Sequence, residues 1–382
     1  MSLFLSLSVV FSGILIIYHH VIYPLLLKKV LQKYDSNPKP IGLKDDELPS
    51  ITLVIPAYNE QAFIADKIRN LACLDYPANK LAVIIACDGC SDATVNIAQS
   101  TVNEAELSHL SIDVAAFDKN RGKISVINSV TAIIQTDLLA FSDVSSLISI
   151  DALRIAAGRF ADPSVGAVNG NYRLLNPGNS GESDYWRYQS TIKRGEECFG
   201  SVMGAHGAFY VVRTKLFNAV PVDTINDDFI IPMRIVEAGY RVVYEDRINA
   251  VELECSDDAL NWHRRIRIGM GNMQQIIRLR GLFHPRFKGV SFTFFSGKGL
   301  RVLMPFLMIY CWVASGALAF NALFFLLLFS SQSLIYAIAA VVWIKGDSHC
   351  HRIGKAIFYL VSGHLANMIG SIKYFANANR HW

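Results

Sequence analysis

The stretch "ITLVIPAYNE", residues 51–60, is an apolar run that ends in polar residues. Residues 61–74, "QAFIADKIRNLACL", follow it with apolar residues at helical spacing. Residues 80–94, "KLAVIIACDGCSDAT", repeat the apolar run and the polar turn, and a second helical pattern follows. Apolar strands that alternate with helices predict a parallel sheet with crossover helices. We therefore predict an α/β domain over residues 45–260.

The residues just after each apolar run are the candidates for a functional site, because ligands bind at the carboxyl ends of parallel strands. These candidates include Pro56, Glu60, Asp88 and, after the run "LLAF", Asp143. Clustered carboxylates are costly unless a cation or a hydrogen-bonding ligand meets them. A nucleotide sugar with Mg²⁺ or Mn²⁺ satisfies this requirement, with Asp88 on the base or ribose and Asp143 on the metal. The alternative is that the aspartates only cap the helices that follow.

Two other regions are apolar enough to lie in a membrane. Residues 3–27 contain no Asp, Glu, Lys or Arg, and they exceed the about 20 residues that cross a bilayer. The three lysines that follow them indicate an exit into the cytoplasm. Residues 302–344 are long enough for two further spans, and residues 354–376 are a weaker candidate. We predict an N-terminal transmembrane helix within residues 1–30 and a C-terminal membrane region over residues 301–382.

The composition agrees with lipid-embedded segments and argues against two other classes of protein. Apolar residues make up 52% of the 382 residues and charged residues 18%, with a mean hydropathy of +0.30. The net charge is +4 without a long run of like charges, so a nucleic-acid partner is not expected. The seven cysteines are scattered and odd in number, which does not fit a secreted disulfide framework. The soluble part is therefore expected to face the cytosol.

Five motifs occur in the order that one known family shows. They are "VIPAYNE" (54–60), "CDGCSDAT" (87–94), "NRGKISVIN" (120–128), "FSDVSS" (141–146) and "INDDFIIPMRIVEAGYRVVYE" (225–245). The chain resembles the family-2 inverting glycosyltransferases, in particular the membrane-anchored polysaccharide synthases such as cellulose, chitin and hyaluronan synthases. The resemblance covers about residues 50–275 and the flanking membrane helices. It implies a GT-A fold, a nucleotide-sugar donor such as a UDP-sugar, a divalent metal and inversion at the anomeric carbon.

The resemblance implies roles for the residues of the donor site. Asp88 would hold the uracil or ribose, and Lys123 would lie near the nucleotide. Asp143 stands at the first aspartate of the family's DxD metal motif, whose third position is Ser145 in this chain. Phosphate oxygens, water or the Ser145 hydroxyl would then complete the metal coordination. This departure leaves an alternative, a non-catalytic nucleotide-sugar-binding subunit of a polysaccharide assembly or export complex.

The motif "NDDF" stands where the family has its catalytic base. By the resemblance, Asp228 is the predicted base and Asp227 is its acidic neighbour. An inverting transfer needs a carboxylate that removes a proton from the attacking hydroxyl while the diphosphate leaves. A neighbouring acid raises the pKa of such a base and improves it. Acidic residues at a helix N-terminus also favour the helix dipole, and the two explanations are compatible.

Candidates for the acceptor and for the leaving group lie further along the chain. His206 is in a glycine-rich stretch that borders the acceptor pocket in the resembled family, and Trp186 offers an aromatic face of the kind that suits sugar rings. Arg264 and Arg267, in a basic segment over residues 261–300, lie near the family's Gln-x-x-Arg-Trp position. An arginine there would stabilise the leaving diphosphate. A basic helix that rests on anionic headgroups explains them equally well.

The sequence thus predicts a membrane-bound inverting glycosyltransferase. It would be a multi-pass protein of the inner or plasma membrane with its catalytic domain in the cytoplasm. The predicted acceptor is a hydroxyl of a polysaccharide or a lipid-linked glycan, and a separate export partner is expected because three or four spans leave little room for a channel. The rival enzyme class is a nucleotidyl- or phospho-sugar transferase, which also needs an α/β sheet with clustered aspartates.

Overall fold

The computed structural model describes residues 2–34, 40–176, 180–254, 258–346 and 351–376. These residues form two compact units, which we call the helical unit (residues 2–29 and 258–376) and the sheet unit (residues 30–254). The predicted interfacial segment over residues 261–300 is part of the helical unit.

A single sheet organises the sheet unit. Its strands within the described residues are β1 (Ile51–Ala57), β2 (Leu81–Asp88), β3 (Ser111–Phe117), β4 (Leu138–Phe141), β5 (Ser146–Ile148), β6 (Val165–Leu174), β7 (Tyr210–Arg213) and β8 (Arg241–Glu252). Their order across the sheet is β3-β2-β1-β4-β7-β6-β8-β5. Strands β1 to β4 pair in parallel, as do β6 and β8, whereas β7 and β5 are antiparallel to their neighbours. The predicted α/β fold with a mainly parallel sheet is confirmed.

Helices connect these strands and build the other unit. Along the chain they are α1 (Ser2–Ile17), α2 (Tyr23–Tyr34), α3 (Ile64–Ala72), α4 (Thr94–Val102), α5 (Lys123–Thr131), α6 (Ala152–Arg159), α7 (Ser180–Glu197), α8 (Asp227–Glu237), α9 (Asp258–Arg278), α10 (Gly289–Thr293), α11 (Leu300–Leu318), α12 (Leu323–Lys345) and α13 (Arg352–Ala376). Helices cover the sheet, so its central strands are apolar on both faces. Strand β1 shows this, because all of its residues except Pro56 are buried.

Three helices of the described residues are long and apolar enough to cross a membrane. They comprise Leu3–Tyr34, Gly289–Leu318 and Leu323–Lys345. The second begins before the predicted residue 302, because the π-helical turn Phe294–Gly299 joins α10 to α11 without a break. Helix α13 covers the weaker candidate at residues 354–376 but is not among the three.

Glycines allow α9 and α13 to pack closely within the helical unit. A Cβ atom on Gly269 would lie 2.8 Å from the Cα atom of Asn367, and one on Gly370 would meet the backbone of α9. Asn272 Nδ2 donates to Asn367 Oδ1 across this interface (3.0 Å). Small residues with an interhelical hydrogen bond are typical of helix packing in membranes.

Candidate active site

The loop before α5 is held by Asp88, at the carboxyl end of β2. The backbone N–H groups of Arg121 and Gly122 donate to its two carboxylate oxygens at 2.9 and 2.8 Å. Gly122 has φ +86°, a left-handed conformation that favours glycine, and Lys123 follows as the first residue of α5. Asp88 therefore holds in place the backbone of Arg121 and Gly122, which directly precede Lys123. Its predicted contact with the base or ribose stays a prediction.

The Lys123 ammonium joins two acidic residues from different parts of the fold. It lies 2.9 Å from Asp143 Oδ1, in the turn after β4, and 3.4 Å from Asp227 Oδ2, at the start of α8. The Lys123 and Asp143 side chains are 39% and 37% exposed, and that of Asp227 is 10% exposed. The structure thus brings Lys123, Asp143 and Asp227 together at the carboxyl edge of the sheet.

Burial and nearby charges shift the pKa values of Asp143 and Asp228 in opposite directions. Burial would raise the pKa of Asp143, but the attraction and hydrogen bond of Lys123 outweigh it and hold this pKa below its usual range. Burial and the charge of Asp227 raise the pKa of Asp228 to about 6, although Lys123 opposes this rise. Carboxyls whose environments push their pKa values apart are typical of groups with different catalytic roles.

The glycine-rich segment before β7 lies between Asp228 and Asp143. The Gly207 N–H donates to Asp228 Oδ2 at 3.2 Å, and the Ala205 N–H donates to the Asp228 carbonyl oxygen at 2.8 Å. A Cβ atom at Gly207 would lie 2.9 Å from Asp143 Oδ2. A glycine is therefore required where the backbone approaches both carboxylates.

Glu60 and Pro56 lie on the neighbouring strand end. Burial, together with the charges of Glu254 and Asp143, raises the pKa of Glu60 to about 7. Pro56 is in β1 and is aligned with Ala86 of β2. Glu60 therefore belongs to the same electrostatic group as Asp143, whereas the donor-binding roles predicted for Glu60 and Pro56 stay predictions.

A buried lysine beneath the Asp143 turn was missed by the sequence analysis. Lys67 of α3 is fully buried, and burial lowers its pKa to about 7, against the attraction of Asp143 and Glu252. The sequence held a signal for it. Ile64, Ile68 and Leu71 form the apolar stripe of α3, and position 67 falls on that stripe.

An aromatic cluster contains both acceptor candidates. The His206 ring stacks on Tyr172 with centroids 3.9 Å apart, and Trp186 contacts both rings. The Ala208 N–H donates to His206 Nδ1 at 3.3 Å, so neutral His206 carries its proton on Nε2. Lys193 lines a small cavity with these rings, and burial lowers its pKa. Tyr172 and Lys193 were not predicted from the sequence.

Comparison with known protein families identifies the family of this chain. A family model, "Glycosyltransferase like family 2", matches residues 49–267, more than half of the chain. This chain belongs to the family-2 glycosyltransferases. The predicted family is confirmed.

Individual relatives of this chain were found by sequence and by structure. Poly-beta-1,6-N-acetyl-D-glucosamine synthase of Staphylococcus aureus is 27% identical over 254 residues, which cover 64% of the chain and 60% of the relative. The chain therefore matches about 60% of the length of that protein. The probable glycosyltransferase YdaM of Bacillus subtilis is 22% identical and is covered to 81%, over 89% of the chain.

A solved structure shows the same fold over almost the whole chain. The mannosyltransferase PcManGT from Pyrobaculum calidifontis, in complex with GDP-Man and Mn²⁺, has a TM-score of 0.74 and 18% sequence identity. The similarity covers 98% of this chain and 100% of that one. The predicted GT-A fold is confirmed.

The residues at the predicted DxD position are compatible with a divalent metal that is bound mainly through a ligand. In the described part of the chain, no three His, Cys, Asp or Glu side chains are grouped so as to hold a metal ion. Asp143 offers a single carboxylate, and Mg²⁺ is usually held by one or two carboxylates with substrate phosphates and water. The Lys123 ammonium beside Asp143 shows that a positive charge is stabilised at this position.

The two predicted arginines are on α9 of the helical unit. Arg264 and Arg267 are both exposed. Arg265 between them donates to Ser362 Oγ at 3.2 Å and lies over the Tyr359 ring, so it links α9 to α13. The contact of Arg264 and Arg267 with the leaving diphosphate stays a prediction.

Proposed function

We propose that this protein transfers a sugar, with inversion, from a nucleoside-diphosphate sugar to a hydroxyl of a glycan, with Asp228 as the general base. The observation that carries the proposal is the environment of Asp228. Its pKa is raised to about 6, next to Asp227 and a lysine that also pairs with Asp143. Such a carboxyl is ionised at neutral pH and is still basic enough to accept a proton.

The neighbouring residues divide the remaining tasks. Lys123 is placed to attract the donor diphosphate, because its ammonium lies at the strand ends where ligands collect. The Gly207 N–H orients the Asp228 carboxylate toward the incoming hydroxyl. Asp143 would hold Mg²⁺ or Mn²⁺ together with the diphosphate. That metal would supply positive charge for the leaving group.

The aromatic cluster supports a sugar acceptor. Trp186 and His206 are only partly buried in this cluster, and aromatic faces pack well against the apolar face of a pyranose. A UDP-sugar donor and a polysaccharide or lipid-linked acceptor are our proposal for the substrates. The name of the Staphylococcus aureus relative, a synthase of poly-beta-1,6-N-acetyl-D-glucosamine, supports a polysaccharide product.

We also propose a multi-pass topology in the inner or plasma membrane with the sheet unit in the cytoplasm. Three helices long enough to span support it, as do the lysines that follow the first span. An export partner would complete the route of a polymer.

A second candidate function is a nucleotide-sugar-binding subunit without catalysis. The observation that favours it is Ser145 at the third position of the DxD motif, where the side chain is buried and only Asp143 supplies a carboxylate. The two candidates differ in turnover, because only an enzyme releases nucleoside diphosphate.

The test is release of nucleoside diphosphate by the detergent-purified protein from UDP-, GDP- and dTDP-sugars, with Mg²⁺ or Mn²⁺ and membrane extract as the source of acceptor. Asp228→Asn and Asp143→Ala are compared with Glu104→Gln, a carboxylate in the exposed ion pair with Arg69. We expect one donor to turn over, with loss in the first two variants only. Binding of a donor without turnover would favour the subunit function, and equal loss in Glu104→Gln would refute the assignment of the site.

A further inference from the structure

Lys67 is a charged residue in an apolar environment. It lies on the buried stripe of α3, with Ile64 and Ile68 as fully buried neighbours on the same helix. A buried ammonium is costly unless hydrogen bonds compensate for the lost water. Its partners therefore show what the lysine holds in place.

Within the described residues, both hydrogen-bond partners of Lys67 belong to the turn that carries Asp143. The Nζ atom donates to Ser142 Oγ at 2.6 Å and to the carbonyl oxygen of Ser146. Ser142 precedes Asp143 directly, and Ser146 begins β5 three residues after it. Ser142 Oγ in turn donates to the carbonyl oxygen of Ala208 at 2.6 Å. The Lys67 ammonium is thus hydrogen-bonded to both ends of the Asp143 turn, residues 142 and 146.

This network continues to the general base. Ala208 follows Gly207, whose N–H donates to Asp228 Oδ2. On the other side, Ser146 Oγ donates to Glu252 Oε2 at 3.1 Å. Lys67 is therefore connected on its buried side both to the turn of Asp143 and, through Ser142 and Ala208, to the segment that binds Asp228.

We propose that Lys67 is a positioning residue for the donor site: it holds the turn of residues 142–146 so that the Asp143 carboxylate faces the donor diphosphate. The expected effect on donor binding rests on the proposed function. That Lys67 holds the turn in place rests on the hydrogen bonds alone. Lys67 acts through Ser142 and Ser146 and not by contact with substrate.

The rest of the turn is anchored independently, so the fold should survive the loss of Lys67. The Ser142 N–H donates to the Val54 carbonyl oxygen at 3.2 Å, and the Leu253 N–H donates to that of Ser145 at 2.8 Å. These bonds hold the backbone in the sheet. They do not replace the two donors that Lys67 supplies on the buried side of the turn.

Asn70 offers a matched control on the same helix. Its Nδ2 donates to the Ile148 carbonyl oxygen at 3.0 Å, and its Oδ1 accepts from the Ile148 N–H at 2.9 Å. Asn70→Ala therefore removes two hydrogen bonds between α3 and β5, as Lys67→Met removes two between α3 and the Asp143 turn. A purely structural role predicts similar effects for both changes.

The test combines two measurements on the full-length protein in detergent. Calorimetry gives the affinity for UDP, GDP and dTDP, each with Mn²⁺, for the wild type, Lys67→Met and Asn70→Ala. Hydrogen–deuterium exchange gives the protection of the amides of residues 142–146. We expect Lys67→Met to weaken binding of the preferred nucleotide by about tenfold or more, and to speed exchange at Ser146, while Asn70→Ala keeps the wild-type affinity.

Two results would overturn the proposal. One is an unchanged affinity and exchange in Lys67→Met, and the other is an equal loss of affinity in both variants. If Lys67→Met does not fold, Ser142→Ala removes one of its bonds and should show the same defects in weaker form. If no nucleotide binds to the wild type, the proposed function fails, and the exchange data still decide whether Lys67 holds the turn.

Discussion

Removal of the Lys123 charge tests the electrostatics of the site. At the 2.9 Å between Lys123 Nζ and Asp143 Oδ1, Coulomb's law gives about 1.4 kcal/mol with the dielectric constant of water and about 6 kcal/mol with a value of about 20. Both side chains are more than a third exposed, so screening favours the lower end, about 1–2 kcal/mol. That energy corresponds to about one pKa unit.

In the Lys123→Met variant, Asp143 and Asp227 lose the ammonium group that pairs with both of them. Lys123 lowers the pKa of Asp228, so this pKa, about 6 in the wild type, should then rise, and by no more than the roughly one unit worked out for the shorter Lys123–Asp143 contact. Because the base acts only when ionised, activity is lost as the pH falls through this pKa. The acid limb of the pH–rate profile should therefore move from about pH 6 to higher pH, by up to about one pH unit. The value of kcat/KM for the donor should also fall by about tenfold or more, because an ammonium is lost near the diphosphate.

The assay is nucleoside diphosphate release between about pH 5 and pH 9, with donor concentrations from below to above KM so that kcat and kcat/KM are both obtained. Lys123→Arg is the matched control, because it keeps the charge and changes only the shape of the cation. Its acid limb should stay near that of the wild type. An acid limb of Lys123→Met at the wild-type pH would refute the idea that Lys123 lowers the pKa of the base.

Three further predictions follow from the same contacts. Gly207→Ala places a Cβ atom 2.9 Å from Asp143 Oδ2, so turnover should fall by about tenfold or more while a thermal melt changes little. Trp186→Ala removes a face of the aromatic cluster and should raise the KM of the acceptor by about tenfold but leave that of the donor unchanged in initial-rate kinetics. Asp228→Asn should raise the melting temperature at pH 7 by roughly 2–4 °C, because a raised carboxyl pKa means that ionisation destabilises the fold, and this gain should vanish below about pH 4. A melting temperature below that of the wild type at pH 7 would contradict the last prediction.

The sequence predicted the parallel part of the sheet because its strands are long apolar runs that precede polar turns. Strands β1, β2 and β4 fall on "ITLVIPA", "LAVIIACD" and "LLAF". The antiparallel strands β5 and β7 have three and four residues. Such short segments carry little periodicity, and their pairing depends on contacts with distant strands.

Site residues could be predicted from the sequence where a motif marks them. They could not be predicted where their role depends on contacts between distant parts of the chain. The strand ends predicted Asp143 at this edge, and the resemblance suggested Lys123 and Asp227. In the structure the Lys123 ammonium lies 2.9 Å from Asp143 and 3.4 Å from Asp227, whereas their catalytic roles stay predictions. Asp88 was expected at the nucleotide, and its carboxylate is hydrogen-bonded to the loop before Lys123. Lys67 was overlooked because one lysine in an apolar stripe has no partner that the local sequence reveals.

The central claim is that Asp228 is the base of a glycosyl transfer, and it is tested most directly by comparing the wild type with Asp228→Asn for one donor. Calorimetry measures donor affinity, and release of nucleoside diphosphate measures turnover in the same preparation. We predict equal donor affinity, because Asp228 acts on the acceptor hydroxyl, with turnover reduced by about a hundredfold or more. Turnover of Asp228→Asn within a few-fold of the wild type would contradict the account.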